Sequence, residues 1–189
     1  MAQRLTDAER ATLLKLARET IAQYLKDGKR VALSRAEGLL AENCGAFVTL
    51  HKRGQLRGCI GNMIGMRPLI ETIQEMAISS ATQDPRFRRV TPDELADIDI
   101  EISVLSPMKR IKDVNEIEVG THGILMRRGM YQGVLLPQVA TEWGWNREEF
   151  LAHTCEKAGL PMDAWRDPET AIEIFSAEVF GEKDRHEGR

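Results

Sequence analysis

Cysteine is scarce in this 189-residue chain, with three residues at positions 44, 59 and 155. An odd number at such wide spacing argues against a disulfide scaffold. There is no C-x-x-C and no closely spaced His/Cys pair of the kind that builds a structural zinc site, so no metal is expected. Long apolar runs are missing too: none approaches the roughly 18 residues that a membrane-spanning helix needs. A mean hydropathy of -0.33, with 42% hydrophobic and 29% charged residues, fits neither a membrane protein nor a disordered one. The opening residues Met1-Ala2-Gln3-Arg4-Leu5 enter a charged helical pattern directly and contain no secretory apolar region, so a cytoplasmic location is expected. Charge of one sign is never massed. The net charge is -3, and the basic clusters stop at Arg86, Arg88 and Arg89 and at Arg127 and Arg128. A nucleic-acid binder shows a larger stripe, so these read as solvated turn charges and no nucleic-acid partner is expected. Neither G-x-x-x-x-G-K-[ST] nor a strand-borne G-x-G-x-x-G is present, which removes the two common phosphate-cradling loops.

What is present is a mixed pattern of helices and strands. Residues 6–26 read as a helix: Thr6 and Glu9 form a T-x-x-E capping box, and Leu13, Leu14, Ala17, Ile21, Tyr24 and Leu25 make one apolar stripe. Asp27-Gly28-Lys29 ends it. A shorter helical or irregular piece covers 34–42. Residues 46–50 read as a strand, His51 to Gln55 as a polar turn, and Leu56 to Gly61 as the returning strand. Pro68 fits the first position of a helix running to about Thr82, which Asp84-Pro85 terminates. Thr91-Pro92-Asp93-Glu94 starts another helical turn. Ile98, Ile100, Ile102 and Val104 alternate with Asp99, Glu101 and Ser103, the clearest strand in the chain.

Further on, Gly123 to Arg127 and Tyr131 to Leu136 read as a second hairpin. Pro137-Gln138 leads into a loop carrying Trp143-Gly144-Trp145. Asn146 caps a helix with Glu149 at its third position, and Phe150, Leu151, Thr154, Cys155 and Ala158 follow at core spacing. Residues 171–180 form a last strand, and a polar tail occupies 182–189. Two hairpins without a regular strand–helix–strand beat point to an α+β fold with a mostly antiparallel sheet and flanking helices, in which part of the middle of the chain can form a minor lobe.

The run Leu56-Arg57-Gly58-Cys59-Ile60-Gly61 carries the chemistry. A period of two puts Arg57 and Cys59 on one face of the strand and Leu56 and Ile60 on the other. A thiol beside an arginine can act as a nucleophile, and flanking glycines let a ligand approach the backbone. The same glycines also permit tight packing on a helix, with Cys59 then a core residue. The Arg57 fork suits a carboxylate or phosphate, or a structural pair with Glu101 or Asp84. Asp84 can cap its own turn, and Arg86 can bridge it to a neighbouring strand. His153 and Cys155 are two residues apart on a helix and do not face one direction, so His153 meets Cys59 only through tertiary folding. Gln138 can orient a ligand or tie down its loop. His122 reads as a turn residue, and Cys155 as a core residue.

These blocks together resemble the AMMECR1 family, and within it the prokaryotic proteins called AmmeMemoRadiSam system protein A. The resemblance spans roughly residues 10–181. It is carried by Phe47-Val48-Thr49-Leu50, by Leu56 to Gly61, by Ala77-Ile78-Ser79-Ser80-Ala81 and by Asp84-Pro85-Arg86-Phe87. Leu136-Pro137-Gln138-Val139 and Phe150 to Cys155 agree as well. The turn Gly120-Thr121-His122-Gly123 departs from it, since relatives more often have a more acidic turn there.

The resemblance implies a single α+β domain over residues 1–181, with an antiparallel sheet, flanking helices and two unequal lobes, in an intracellular protein. It implies a functional association with Memo-like and radical SAM proteins. It adds weight to Arg57, Gly58, Cys59 and Gly61 as site residues. Two readings stand. In one, the chain is a small-molecule-modifying enzyme with Cys59 and His153 as catalytic residues and Arg57, Gly58, Gly61, Asp84, Arg86 and Gln138 around a small anionic metabolite. In the other, it is a non-catalytic ligand-binding or protein-interaction component of the same pathway. No cofactor is assigned, and the chain has no iron–sulfur motif of its own.

Overall fold

The computed structural model describes residues 4–183; residues 184–189, most of the expected polar tail, lie outside the described residues. The chain is α+β, with seven strands and four α-helices among the described residues. It divides into two compact units, Met1–Leu105 with Glu178–Arg189, and Ser106–Ala177.

The first unit opens with α1, Asp7–Asp27. Its capping box forms as the sequence indicates: the Thr6 hydroxyl accepts from the Glu9 N–H at 3.2 Å, and the Glu9 carboxylate accepts from the Thr6 N–H at 2.8 Å. Gly28 ends the helix with a φ of 74°, a left-handed value that a side chain would strain. A 3-10 turn at Gly38–Ala41 occupies the irregular stretch. Then come β1, Ala46–Lys52, and β2, Gln55–Asn62, paired antiparallel. Only Arg53 and Gly54 lie between the two strands. Both have positive φ, the geometry of the tight hairpins that match strand twist. The turn is therefore shorter than the five polar residues suggest.

The second helix, α2, is Leu69–Thr82, with Pro68 just outside it as an extended residue rather than in its first turn. A 3-10 turn at Pro92–Asp97 leads into β3, Ile98–Leu105, which pairs antiparallel with β1. Ala46, Val48 and Leu50 of β1 and Ile98, Ile100, Ile102 and Val104 of β3 share one core with Leu13, Leu14, Ala17 and Ile21 of α1 and Leu69, Ile73, Met76, Ala77 and Ala81 of α2. The apolar stripe and the alternating strands thus bury one another. Glu182 closes this unit. It accepts from the guanidinium of Arg18, and from the Ile100 N–H at 2.9 Å, while its own N–H donates to the Ile100 carbonyl at 3.1 Å.

The second unit holds β4, Lys109–Ile111, β5, His122–Arg128, and β6, Tyr131–Leu135. It also holds α3, Pro137–Trp143, α4, Arg147–Lys157, and all but the last residues of β7, Ala171–Gly181. The strand β7 pairs with β4 and β5, and β5 with β6, all antiparallel. Phe150, Leu151 and Cys155 of α4 pack with Ile124, Met126, Ile172 and Ile174 in a separate core cluster. Two elements differ from the sequence expectation. The short edge strand β4 has too few residues to show an alternation. The stretch read as a loop after Pro137 is α3: Pro137 sits in its first turn and Gly144 ends it at a φ of 67°. The adjacent Trp-Gly-Trp masks those signals in the sequence. No helix among the described residues is long and apolar enough to cross a membrane.

Candidate functional site

The strand β2 lies at the edge of the sheet, with β1 on one side only. An edge strand leaves every second N–H and C=O without a ladder partner. At Cys59 both groups are taken by the Asp84-Pro85-Arg86 turn. The Asp84 carboxylate accepts from the Cys59 N–H at 2.8 Å, and Arg86 Nη2 donates to the Cys59 carbonyl at 3.3 Å. Asp84 also accepts from Arg86, at Nε (3.0 Å), Nη2 (2.7 Å) and the backbone N–H (3.1 Å). Its side chain is only 2% exposed. The Arg86 guanidinium, followed by the Cys59 and Arg86 N–H groups, holds the Asp84 carboxyl well below the usual carboxylate range, against the opposing cost of burial. The two residues read from sequence as turn chemistry are thus the clamp that fixes the Cys59 peptide.

The side chain of Arg86 is 55% exposed, its guanidinium carbon lies 5.5 Å from the centre of the Phe87 ring, and among the described residues its Nη1 has no hydrogen-bond partner. Its planar fork is therefore half occupied by Asp84 and half available.

The neighbours of the Cys59 thiol follow from register. Thr49 is the β1 residue directly opposite Cys59, and Glu101 is the β3 residue directly opposite Thr49. The three side chains make a row across three strands, on the face turned away from α1 and α2, because Val48 and Leu50 are in the core. The Thr49 hydroxyl donates to Cys59 Sγ at 3.2 Å. Phe47 and Ser103, also opposite one another, lie on the same face, and all five residues are half-buried.

Arg57 does not join that row. Leu50 pairs with Gly58 and His51 with Leu56, so Arg57 is an extra residue in a β-bulge. A bulge breaks the period of two on which the expected shared face depended. The guanidinium instead forms a bidentate pair with Glu94, at 3.1 and 2.9 Å, and donates to the carbonyls of Arg88 (2.8 Å) and Arg89 (3.4 Å). Its side chain is only 15% exposed. Glu94 also holds Lys52 and accepts from the Thr91 N–H. Arg57 first, and then Lys52, lower the Glu94 carboxyl to about 2. The ion pair read as one alternative for Arg57 is realised, with Glu94 rather than Glu101 or Asp84 as its partner.

The glycines are there for packing. A Cβ on Gly58 would overlap the Ser80 carbonyl oxygen of α2, and one on Gly61 would overlap the Phe47 ring. Both leave room for protein rather than for a ligand. Ser80 then reaches between the strands: its hydroxyl accepts from the Ile60 N–H at 3.0 Å and donates to the Val48 carbonyl at 2.6 Å. The Ile78-Ser79-Ser80-Ala81 block and the glycine block are two sides of one contact.

His153 belongs to the second unit. Its ring stacks on Trp145 with centroids 4.0 Å apart, and its Nδ1 lies 3.1 Å from Glu156. The hydrogen-bonding partners of Cys59 are Thr49, Asp84 and Arg86. Gln138 is an exposed residue of α3 whose backbone carbonyl accepts from the Thr141 hydroxyl. His122 is the first residue of β5, opposite Ser176, rather than a turn residue, and its Nδ1 accepts from the Glu118 N–H at 3.1 Å; Cys155 is buried against Met126. No group of three or more His, Cys, Asp or Glu side chains among the described residues could hold a metal ion. Sequence reasoning missed Thr49 as a site neighbour. The alternation of β1 and β3 carried that signal, but only the register reveals which residues sit side by side.

Comparison with known proteins agrees with this architecture. The AMMECR1 family model matches residues 14–180. A protein of Methanothermobacter thermautotrophicus is 48% identical over 181 residues, which cover 92% of this chain and 94% of that one. Protein MK0488 of Methanopyrus kandleri is 46% identical, covering 97% and 93%. The crystal structure of uncharacterized protein PH0010 from Pyrococcus horikoshii superposes with a TM-score of 0.79 at 43% identity, covering 91% of this chain and 90% of that one. With a family model spanning most of its length and relatives this similar end to end, the chain belongs to the AMMECR1 family.

Proposed function

We propose that the first unit binds a small anionic molecule at Cys59, and that the protein serves as a ligand-binding component of a small-molecule modification pathway. The observation that carries this reading is the clamp. Asp84 and Arg86 hold both backbone groups of Cys59, while Arg86 Nη1 has no hydrogen-bond partner among the described residues. A guanidinium already fixed on one side by a buried carboxylate is a preorganised receptor for a second carboxylate or a phosphate. In this reading Arg86 takes the role expected of Arg57, whose donors are engaged by Glu94 and two carbonyls. Gly58 and Gly61 shape the strand, and Asp84 positions Arg86.

The finer expectations come from the sequence and from family resemblance. They are the assignment as AmmeMemoRadiSam system protein A, an association with Memo-like and radical SAM proteins, a cytoplasmic setting, and roles for Gln138 and His153. A second reading, thiol catalysis at Cys59, is favoured by the Thr49 hydroxyl at 3.2 Å, a donor that would stabilise a thiolate.

Alkylation of the folded protein by iodoacetamide, with the Cys44, Cys59 and Cys155 peptides resolved by mass, tests both readings. Cys59 is expected to label while the buried Cys44 and Cys155 do not, and acetate or inorganic phosphate is expected to slow it. Labelling that stays fast as pH falls to neutrality supports catalysis as well. Labelling of Cys59 only after unfolding would overturn both readings.

A further inference from the structure

We infer that the ligand of the Cys59 site is dipolar, with an anionic group on Arg86, a cationic amine on Glu101, and the segment between them lying over Cys59 and Thr49. The inference rests on the proposed anion site and extends it across the sheet. Three strands contribute one residue each to a single row, with Thr49 opposite both Cys59 and Glu101. At the outer end of that row stands the Arg86 guanidinium, whose Nη1 has no hydrogen-bond partner among the described residues. At the inner end stands Glu101, half-buried, whose carboxylate has no ion pair or hydrogen bond among the described residues. Its neighbour on the same strand face, Asp99, is neutralised by Lys183. The row is therefore positive at one end, negative at the other, and uncharged between.

Other buried or half-buried carboxylates in this unit are engaged: Asp84 has Arg86, Glu94 has Arg57 and Lys52, Glu178 has Arg10, Glu182 has Arg18, and Glu9 accepts from Thr6. A partly dehydrated carboxylate attracts a cation more strongly than one in bulk water, and an ammonium group supplies the donors that Glu101 lacks. A dianion long enough to span the row would place its second charge against Glu101 and be repelled, and a monoanion of that length would gain nothing there.

The spacing sets the length of the ligand. Neighbouring strands lie about 4.8 Å apart, so the backbones at Cys59 and Glu101 are separated by about 10 Å, and the Arg86 guanidinium lies one hydrogen bond further out, beyond the Cys59 carbonyl. Allowing for contact distances and the reach of the side chains, the two ligand charges stand roughly 6–9 Å apart, about the span of four to six methylene groups.

Protection of Cys59 from iodoacetamide in the full chain tests this directly. The probes are 4-aminobutanoate through 7-aminoheptanoate, with hexanoate and hexylamine as single-charge controls. One member of the amino acid series is expected to protect at a concentration at least about fivefold lower than hexanoate, the factor set by one favourable ion pair of about 1 kcal/mol. Glu101→Gln is expected to bring that amino acid to the level of hexanoate and leave hexanoate itself unchanged. If hexanoate protects as well as every amino acid and Glu101→Gln changes nothing, the dipolar ligand is overturned and the anion site stands. Protection by hexylamine alone, or by none of the probes, overturns both. The comparison among ligands on the unsubstituted protein decides the matter even if the variant melts early.

Discussion

Asp84 shows how much one buried side chain does in this protein. It accepts four hydrogen bonds, three from Arg86 and one from the Cys59 backbone. Asparagine has the same shape but no charge, and it would present donors to a guanidinium that has only donors. Asp84→Asn is expected to destabilise the protein by roughly 2–4 kcal/mol, the cost of breaking a buried charge-assisted network. Urea unfolding measures this, and the Cys59 peptide should become more reactive in the variant at low urea, because its clamp is gone. An unchanged midpoint and unchanged labelling would show that the turn does not hold the strand. The identity of Asp84 and Arg86 as one unit was legible from their spacing. Their common target was not, because the Cys59 peptide lies 25 residues away in the chain.

At the scale of elements, the first hairpin is instructive. The two strands and their approximate limits were evident from β-branched and aromatic residues bounded by a polar turn. The bulge at Arg57 was not, since it is set by which residues pair across the hairpin and not by composition. Its consequence is that Arg57 ties the hairpin to the 88–94 segment through Glu94 and two carbonyls. Lysine keeps the charge but cannot reproduce a bidentate fork together with the carbonyl contacts. Arg57→Lys is expected to cost about 2 kcal/mol, with hydrogen exchange accelerated in β2 and in residues 88–94 rather than in α1. A variant in which exchange rises equally everywhere would show that the link is not local. Helix ends were the easiest elements to read: Thr6 with Glu9 and Asn146 with Glu149 both cap as their spacing indicates. A capping box lies within four residues and needs nothing from the rest of the chain.

For the molecule as a whole, pH dependence follows from two carboxylates in the first unit. Glu94 titrates at about 2 in the folded protein, and Asp84 is held well below the usual range. Both are depressed relative to the unfolded chain. Their stabilisation is therefore complete above the ordinary carboxylate pKa, and it is lost as pH falls toward the folded values. The urea midpoint is expected to be level from about pH 7 to pH 5 and to drop steeply between about pH 4.5 and pH 2. Glu94→Gln should start lower at neutral pH and fall less on acidification. A wild-type midpoint that stays level to about pH 2.5 would contradict both pairings. Trp143, Trp145 and Trp165 all lie in the second unit, whereas Asp84 and Glu94 lie in the first. Amide exchange in β1, β2 and α2 is the suitable probe.

The sequence by itself determined the α+β class, the helix with its capping box, the hairpins, the apolar faces and the membership of the AMMECR1 family. Those follow from periodicity, local hydrogen bonding and ordered blocks of residues, all of which act along the chain. Only the tertiary structure decided which residues surround Cys59. It turned Arg57 aside through a bulge, assigned Gly58 and Gly61 to packing against Ser80 and Phe47, set Thr49 and Glu101 in line with the thiol, and gave His153 to Trp145 and Glu156. Register and bulges are agreements between distant segments, and a one-residue shift in pairing changes every neighbour a side chain has.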